Sequence, residues 1–190
     1  MGGHGFRRSL GGRIVWRTDE TERTIMAGVV GQLVELVEPE HDPHEDPLAR
    51  LVGIDPEAER PDDDALARLF PDAYDDDEAS AEFRRFTERS LREGKVANAR
   101  TVLDSLARSG DKVTLSDADA QAWLGTLNDL RLTLGSRLGI EEDNHQVFQT
   151  LPDDHPAAAA YHLYDWLSYL QETLVRALLG FDVDYPAPQD

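Results

Sequence analysis

The chain has 190 residues, no cysteine and a formal net charge of −19. Hydrophobic residues make up 40% and charged residues 30%, enough for one packed domain with a well-solvated surface. The charge opposes direct binding to nucleic-acid backbone or anionic lipid, and the missing cysteines exclude a disulfide framework, a thiolate metal site and a thiol switch.

No run of about 18 apolar residues is present, so no membrane-spanning helix is expected. The N-terminus lacks the apolar stretch of a secretory leader, and a reducing cytoplasm is the expected location. The acidity is uneven: sixteen acidic and three basic residues lie between Glu40 and Glu82.

In chain order, residues 1–5 read as frayed. Polar and apolar residues alternate on both sides of Leu10-Gly11-Gly12, which predicts a short hairpin over Phe6–Ser9 and Arg13–Arg17. A lone hairpin is marginal, so Ile14 and Trp16 should lean on helices. Asp19 and Glu22 form a capping-box pattern before a helix reaching about Glu38. Its stripe is Ile25, Val29, Leu33 and Leu36, flanked by Met26, Val30, Val34 and Val37. Gly28 and Gly31 cost about 1 kcal/mol each in a helix, and close approach of a second helix would offset that.

The segment 40–62 is expected to be an acidic, mobile loop holding a short helix at Leu48–Val52. Asp62–Phe70 reads as another short helix, anchored by Leu66, Leu69 and Phe70, with a turn at Pro71–Tyr74. Negative charge at Asp75–Glu78 precedes a helix over Asp77–Arg92 that carries Phe83, Phe86 and Leu91. Gly94 is a candidate break before Val96, Ala99, Leu103 and Leu106, and the pattern leaves open whether one helix or two lie between 77 and 108.

Val113–Leu115 reads as extended. Ser116 and Asp119 form an N-cap pair for a helix with a Trp123, Leu127, Leu130, Leu134 and Leu138 stripe, closed by Gly139. Pro156 suits the first turn of a last helix, capped by Asp154 or His155. Leu163, Leu167, Leu170, Leu174 and Leu178 line its face, broadened by Tyr164, Trp166 and Tyr169. The tail 181–190 reads as loose. Together these features predict a mainly α single domain over 1–190: a bundle of four to five helices with a short N-terminal β-hairpin.

Four groups of residues could carry chemistry. His41, His44, Glu45 and Asp46 could hold a divalent metal, but a mobile loop with two prolines lacks the fixed geometry such a site needs, and a solvated acidic loop is the preferred reading. His155, His162 and Asp165 could serve acid–base catalysis if gathered in a cleft; a helix cap and two surface residues account for them as well. Arg84, Arg85, Arg89 and Arg92, continued by Lys95 and Arg100, could dock an acidic partner or balance the chain's own carboxylates. Asn128 and Asp129, beside Arg131, read as a structural polar contact between helices. No cofactor-binding or catalytic motif is present, and the chain is not read as an enzyme.

The segments LSDADAQAWLGTLNDLRLTLG and DHPAAAAYHLYDWLSYLQETLVRALL, with the looser LARLFPDAY, resemble an actinobacterial family classed as a domain of unknown function. Some of its members are described as oxidative-stress-responsive transcriptional regulators. Trp123, Asn128, Asp129, Arg131, His155, Pro156, Trp166 and Gln171 are the marker positions. The resemblance implies a protein partner in the transcription machinery, an alternative sigma factor among the candidates, and a cysteine pair as sensor. This chain has no cysteine, so that sensor is not expected here and no sensing residue carries over. The expected function is a stress-linked regulatory module acting through protein partners rather than DNA. The alternatives are a small-molecule or metal-dependent enzyme using His155, His162 and Asp165, and a structural homo-oligomer such as a homodimer.

Overall fold

The structure is a computed structural model. It describes residues 5–9, 11–38, 55, 58–108, 110–141, 151–152 and 154–181. The expected helix at 48–52, the mobility of most of 40–62 and the loose tail lie outside the described residues, as do residues 1–4.

The elements are β1 (Phe6–Arg8), β2 (Ile14–Arg17), α1 (Glu20–Val37), α2 (Asp64–Leu69), α3 (Asp77–Ala107), β3 (Lys112–Leu115), α4 (Asp117–Leu138) and α5 (Ala158–Leu178). The fold is mainly α, with five helices among the described residues and a small antiparallel sheet.

The hairpin forms around Gly12, whose φ of 79° suits glycine. It does not stand alone. Val113–Leu115, read only as extended, adds β3 to β2, giving the order β1-β2-β3. A third strand supplies the pairing that a hairpin lacks. Alternation then turns Phe6, Ile14, Trp16, Val113 and Leu115 inward, all of them buried.

Those residues meet α4 and α5 in an aromatic cluster. Trp123, fully buried, packs edge-on against Phe6 at 5.4 Å and Trp16 at 5.7 Å between ring centroids. Its indole Nε1 donates to the Ser105 hydroxyl on α3 at 2.9 Å. Trp166 closes the cluster against Trp16 at 6.1 Å. The Trp16 indole N–H has no acceptor among the described residues, a cost of about 1–3 kcal/mol that the surrounding apolar burial offsets.

The helix ends follow the caps expected of them. Asp19 accepts from the Glu22 N–H at 2.8 Å while Glu22 accepts from the Asp19 N–H, completing the box. Ser116 and Asp119 make the same reciprocal pair on α4, and Gly139 closes it at φ 64°. The Ser116 hydroxyl and N–H hold the Asp119 carboxyl below its ordinary pKa. Helix α5 differs from expectation: its N-cap is Ala157, which contributes no side-chain cap. The His155 imidazole accepts from the Ala157 N–H at 3.1 Å from the turn before the helix.

Within the helices, one open question is settled and two expectations are corrected. α3 runs unbroken through Gly94 for 31 residues, because its flanking turns are held from outside by α1, α2 and α4. Gly28 and Gly31 have open space where a Cβ would stand, so neither marks a close helix contact. The buried line of α1 is Met26, Val30, Leu33 and Val37, whereas Ile25 is exposed. α3 and α4 approach α1 from one side, so the helix turns its flanking stripe inward. The frayed reading of residues 1–5 fails at Gly5, whose N–H donates to the Tyr169 hydroxyl at 3.2 Å.

Two opposite glycine effects follow. Gly94→Ala adds a methyl in open space and removes a flexible helix residue, so it should raise stability by about 1 kcal/mol. Gly5→Ala would set a Cβ 2.4 Å from the Thr173 side chain. Thr173 cannot swing away without losing its bonds to the Phe6 N–H and the Leu170 carbonyl, so a loss of about 1–3 kcal/mol is expected. Urea denaturation of the two variants checks both.

Candidate interaction surface

The arginine series on α3 divides by helical period. Arg84, Glu88, Arg92 and Lys95 follow one another at steps of three or four and point inward. The Arg84 guanidinium is buried. It donates to Glu88 at 2.8 Å, to Asp72 at 2.8 Å and to the Phe70 carbonyl at 3.2 Å. Burial pulls its pKa down, but the Glu88 and Asp72 carboxylates outweigh this and raise it. Arg92 donates to the other Glu88 oxygen at 2.9 Å and to the Val37 carbonyl at 3.1 Å, and lies over the Phe70 ring at 4.5 Å. Lys95 continues the row to Asp129 on α4 at 2.6 Å.

Each contact answers a local need. Val37 ends α1, whose last turn has no basic residue. Phe70 is the C-cap of the short helix α2. Both leave carbonyls that want a donor and a cation, and Arg92 and Arg84 supply them from α3. The row is therefore an ionic seam that fastens two helix ends and α4 to one long helix.

The sequence-level interaction candidates thus occupy different places. Arg84 is enclosed in the seam and Arg92 is largely enclosed. Arg89 is half-buried and Arg85 is exposed. Asp129 is buried against Lys95, as a contact between helices requires, whereas Asn128 is exposed. Arg131 makes a second seam between α4 and α5. It donates to Ser168 at 2.8 Å, Gln171 at 2.6 Å and Tyr164 at 3.3 Å.

His155, His162 and Asp165 are all exposed, and no hydrogen bond joins them. Pro156 is exposed in the turn before α5. His41, His44, Glu45 and Asp46 lie outside the described residues. Among the described residues no group of three or more His, Cys, Asp or Glu could hold a metal ion, and no helix is long and apolar enough to cross a membrane.

Beside the seam, α3 presents apolar side chains to solvent. Phe83 is 43% exposed, Phe86 56% and Leu91 49%, joined by Tyr74 at 54% from the preceding turn. Phe83 and Tyr74 meet edge-on at 5.8 Å. Phe83, Thr87 and Leu91 line a shallow groove of about 220 Å³ together with Phe70, Pro71 and the seam residues Arg84 and Glu88. Asp75, Asp76, Asp77 and Glu78, all exposed, follow Tyr74 at the N-terminal end of α3. Large apolar side chains exposed beside a run of carboxylates are what a docking surface needs. Sequence reading named Phe83, Phe86 and Leu91 but not their outward direction. The signal was available: the inward positions of this half-helix are filled by Arg84, Glu88 and Arg92.

The chain matches the family described as Domain of unknown function (DUF2017) over residues 3–178. It belongs to that family. The oxidative stress regulators AosR of Mycobacterium bovis and Mycobacterium tuberculosis are each 35% identical to it over 175 residues, covering 84% of this chain and 79% of theirs. A relative from Mycobacterium leprae is 34% identical over the same length. No solved structure matches.

The seam can be tested through Lys95. Burial raises the Asp129 carboxyl pKa above the ordinary 3.8, and Lys95 opposes that rise. A raised carboxyl costs nothing below its unfolded pKa and progressively more as pH climbs through its folded value. Lys95→Met removes the offset. It should therefore cost about 2 kcal/mol at pH 7 and much less near pH 4, relative to the wild type at each pH. Urea midpoints at the two values measure the difference.

Proposed function

We propose that this DUF2017 protein is a regulator of the oxidative-stress response that acts by holding a protein partner on the exposed face of α3. The observation that carries the reading is the outward cluster of Tyr74, Phe83, Phe86 and Leu91, which packing within the chain leaves open. Relatives named as oxidative stress regulators give the reading its biological setting. The surrounding carboxylates favour a basic or amphipathic partner segment. The net charge of −19 works against a DNA backbone as the target. With no cysteine in these 190 residues, the stress signal reaches the protein by a route other than its own thiols. The partner belongs to the transcription machinery, in the cytoplasm.

A strain lacking the gene, complemented with the wild type or with the Phe83→Ser/Phe86→Ser double variant, tests this. Both side chains already face solvent, so the double variant should fold with stability changed by no more than about 1 kcal/mol. Wild type should restore peroxide-induced transcripts and crosslink to a subunit or factor of the transcription machinery. The variant should do neither at equal protein level. Full complementation by the variant would sink the proposal. A dimeric wild type and a monomeric variant in light scattering would instead assign the face to self-association.

A further inference from the structure

The second unexplained surface is basic, on a chain that is otherwise strongly acidic. The outer face of the sheet carries Arg7 on β1, Arg17 on β2 and Lys112 on β3, all exposed. Arg17 and Lys112 are directly paired across β2 and β3. Directly opposed like charges repel, with Cβ atoms about 5 Å apart. Arg7 pairs with Val15, which places it diagonally from Arg17 on the same face, about 7–8 Å away between backbones. None of the three side chains forms an ion pair or hydrogen bond among the described residues. With twice as many acidic as basic residues in the chain, three unpaired cations on one small sheet are a departure from simple charge balancing.

The cations surround a hollow of about 500 Å³ lined by Gly5, Arg7, Arg8, Val15, Arg17 and Lys112. Its base is rigid. Gly5 is fixed by Tyr169 on α5. Arg8 donates to the Ala177 carbonyl at 3.0 Å and the Gly12 carbonyl at 2.7 Å, and contacts Asp117 at 3.4 Å. The donors of Arg8 are thus spent on the scaffold, while those of Arg7, Arg17 and Lys112 remain available. A hollow of this size suits a small molecule. Three convergent cations suit an oxyanion with several charges, and the planar guanidinium forks match phosphate oxygens.

We propose that this hollow binds a small molecule bearing two or more phosphoryl groups. A compact polyanion sits within a screening length, about 8 Å, of all three cations. A long polyanion would also meet the field of the whole −19 chain. For a protein without thiols, such a site offers an input for a chemical signal at the sheet, on elements other than α3.

Titration of the full ¹⁵N-labelled chain with inorganic pyrophosphate, against sodium chloride of equal ionic strength, tests the site. Saturable shifts should concentrate at Arg7, Val15, Arg17 and Lys112. Arg17→Gln and Lys112→Gln should each weaken binding roughly tenfold. Lys112→Arg should retain most of it, and Arg85→Gln should leave it unchanged. Removing one of two opposed cations relieves repulsion, so the Gln variants should keep the dispersed wild-type spectrum; loss of binding is then not loss of fold. Three results would overturn the proposal: no saturation beyond the salt control, an equal loss with Arg85→Gln, or tighter binding of hexaglutamate or a short DNA duplex at the same residues.

Discussion

The burial of one indole decides how the molecule is put together. Trp123 on α4 is covered by Phe6 and Trp16 from the sheet and hydrogen-bonded to Ser105 on α3. These groups come from the first strands, the long middle helix and the C-terminal half of the chain. A side chain this large stabilises by about 1.5–3 kcal/mol or more when its apolar surface leaves water. Its N–H must also find an acceptor there. α3 supplies the acceptor, and the apolar burial is met when the sheet lies across α4 and α5, so the small sheet acts as the lid of the helical core rather than an appendage.

The second constraint is ionic. Arg84, Glu88, Arg92 and Lys95 hold the ends of α1 and α2, and the buried Asp129 of α4, against α3. A seam of this kind is weak evidence for net stability, since desolvation costs consume much of the attraction. It does fix geometry, because each guanidinium serves specific carbonyl and carboxylate oxygens. It also explains why α3 continues unbroken past Gly94 and why the aromatics of that half-helix face outward. The inner positions are taken by charge, so Phe83 and Phe86 have no core to enter.

Two surfaces of opposite character follow from this arrangement. One is the set of exposed apolar side chains on α3, next to the carboxylates at its N-terminal end; the other is a basic hollow on the sheet. They are built on different elements and joined through the Trp123 cluster and the rigid length of α3. Under the two proposals, that separation would let the partner surface and the ligand surface be addressed independently.

Local chemistry in the sequence determined much of this protein. Capping pairs at Asp19–Glu22 and Ser116–Asp119, the Gly139 stop, the glycine turn of the hairpin and the leucine periods of α4 and α5 all depend on neighbours within a few residues, and each is realised. The mainly α class and the family resemblance rest on the same short-range patterns. Long-range partners were decided only by the tertiary structure. Val113–Leu115 became a strand because β2 offered an open edge. Gly94 stayed helical because outside contacts held both flanking turns. α1 buried Met26 and Val30 rather than Ile25 because its neighbours approach from one side. Arg84 and Arg92 were legible as basic residues, but not as caps for two distant helix ends, since nothing in the spacing names the carbonyls of Val37 and Phe70. The three cations of the sheet are spread from Arg7 to Lys112, so only strand pairing could bring them onto one face.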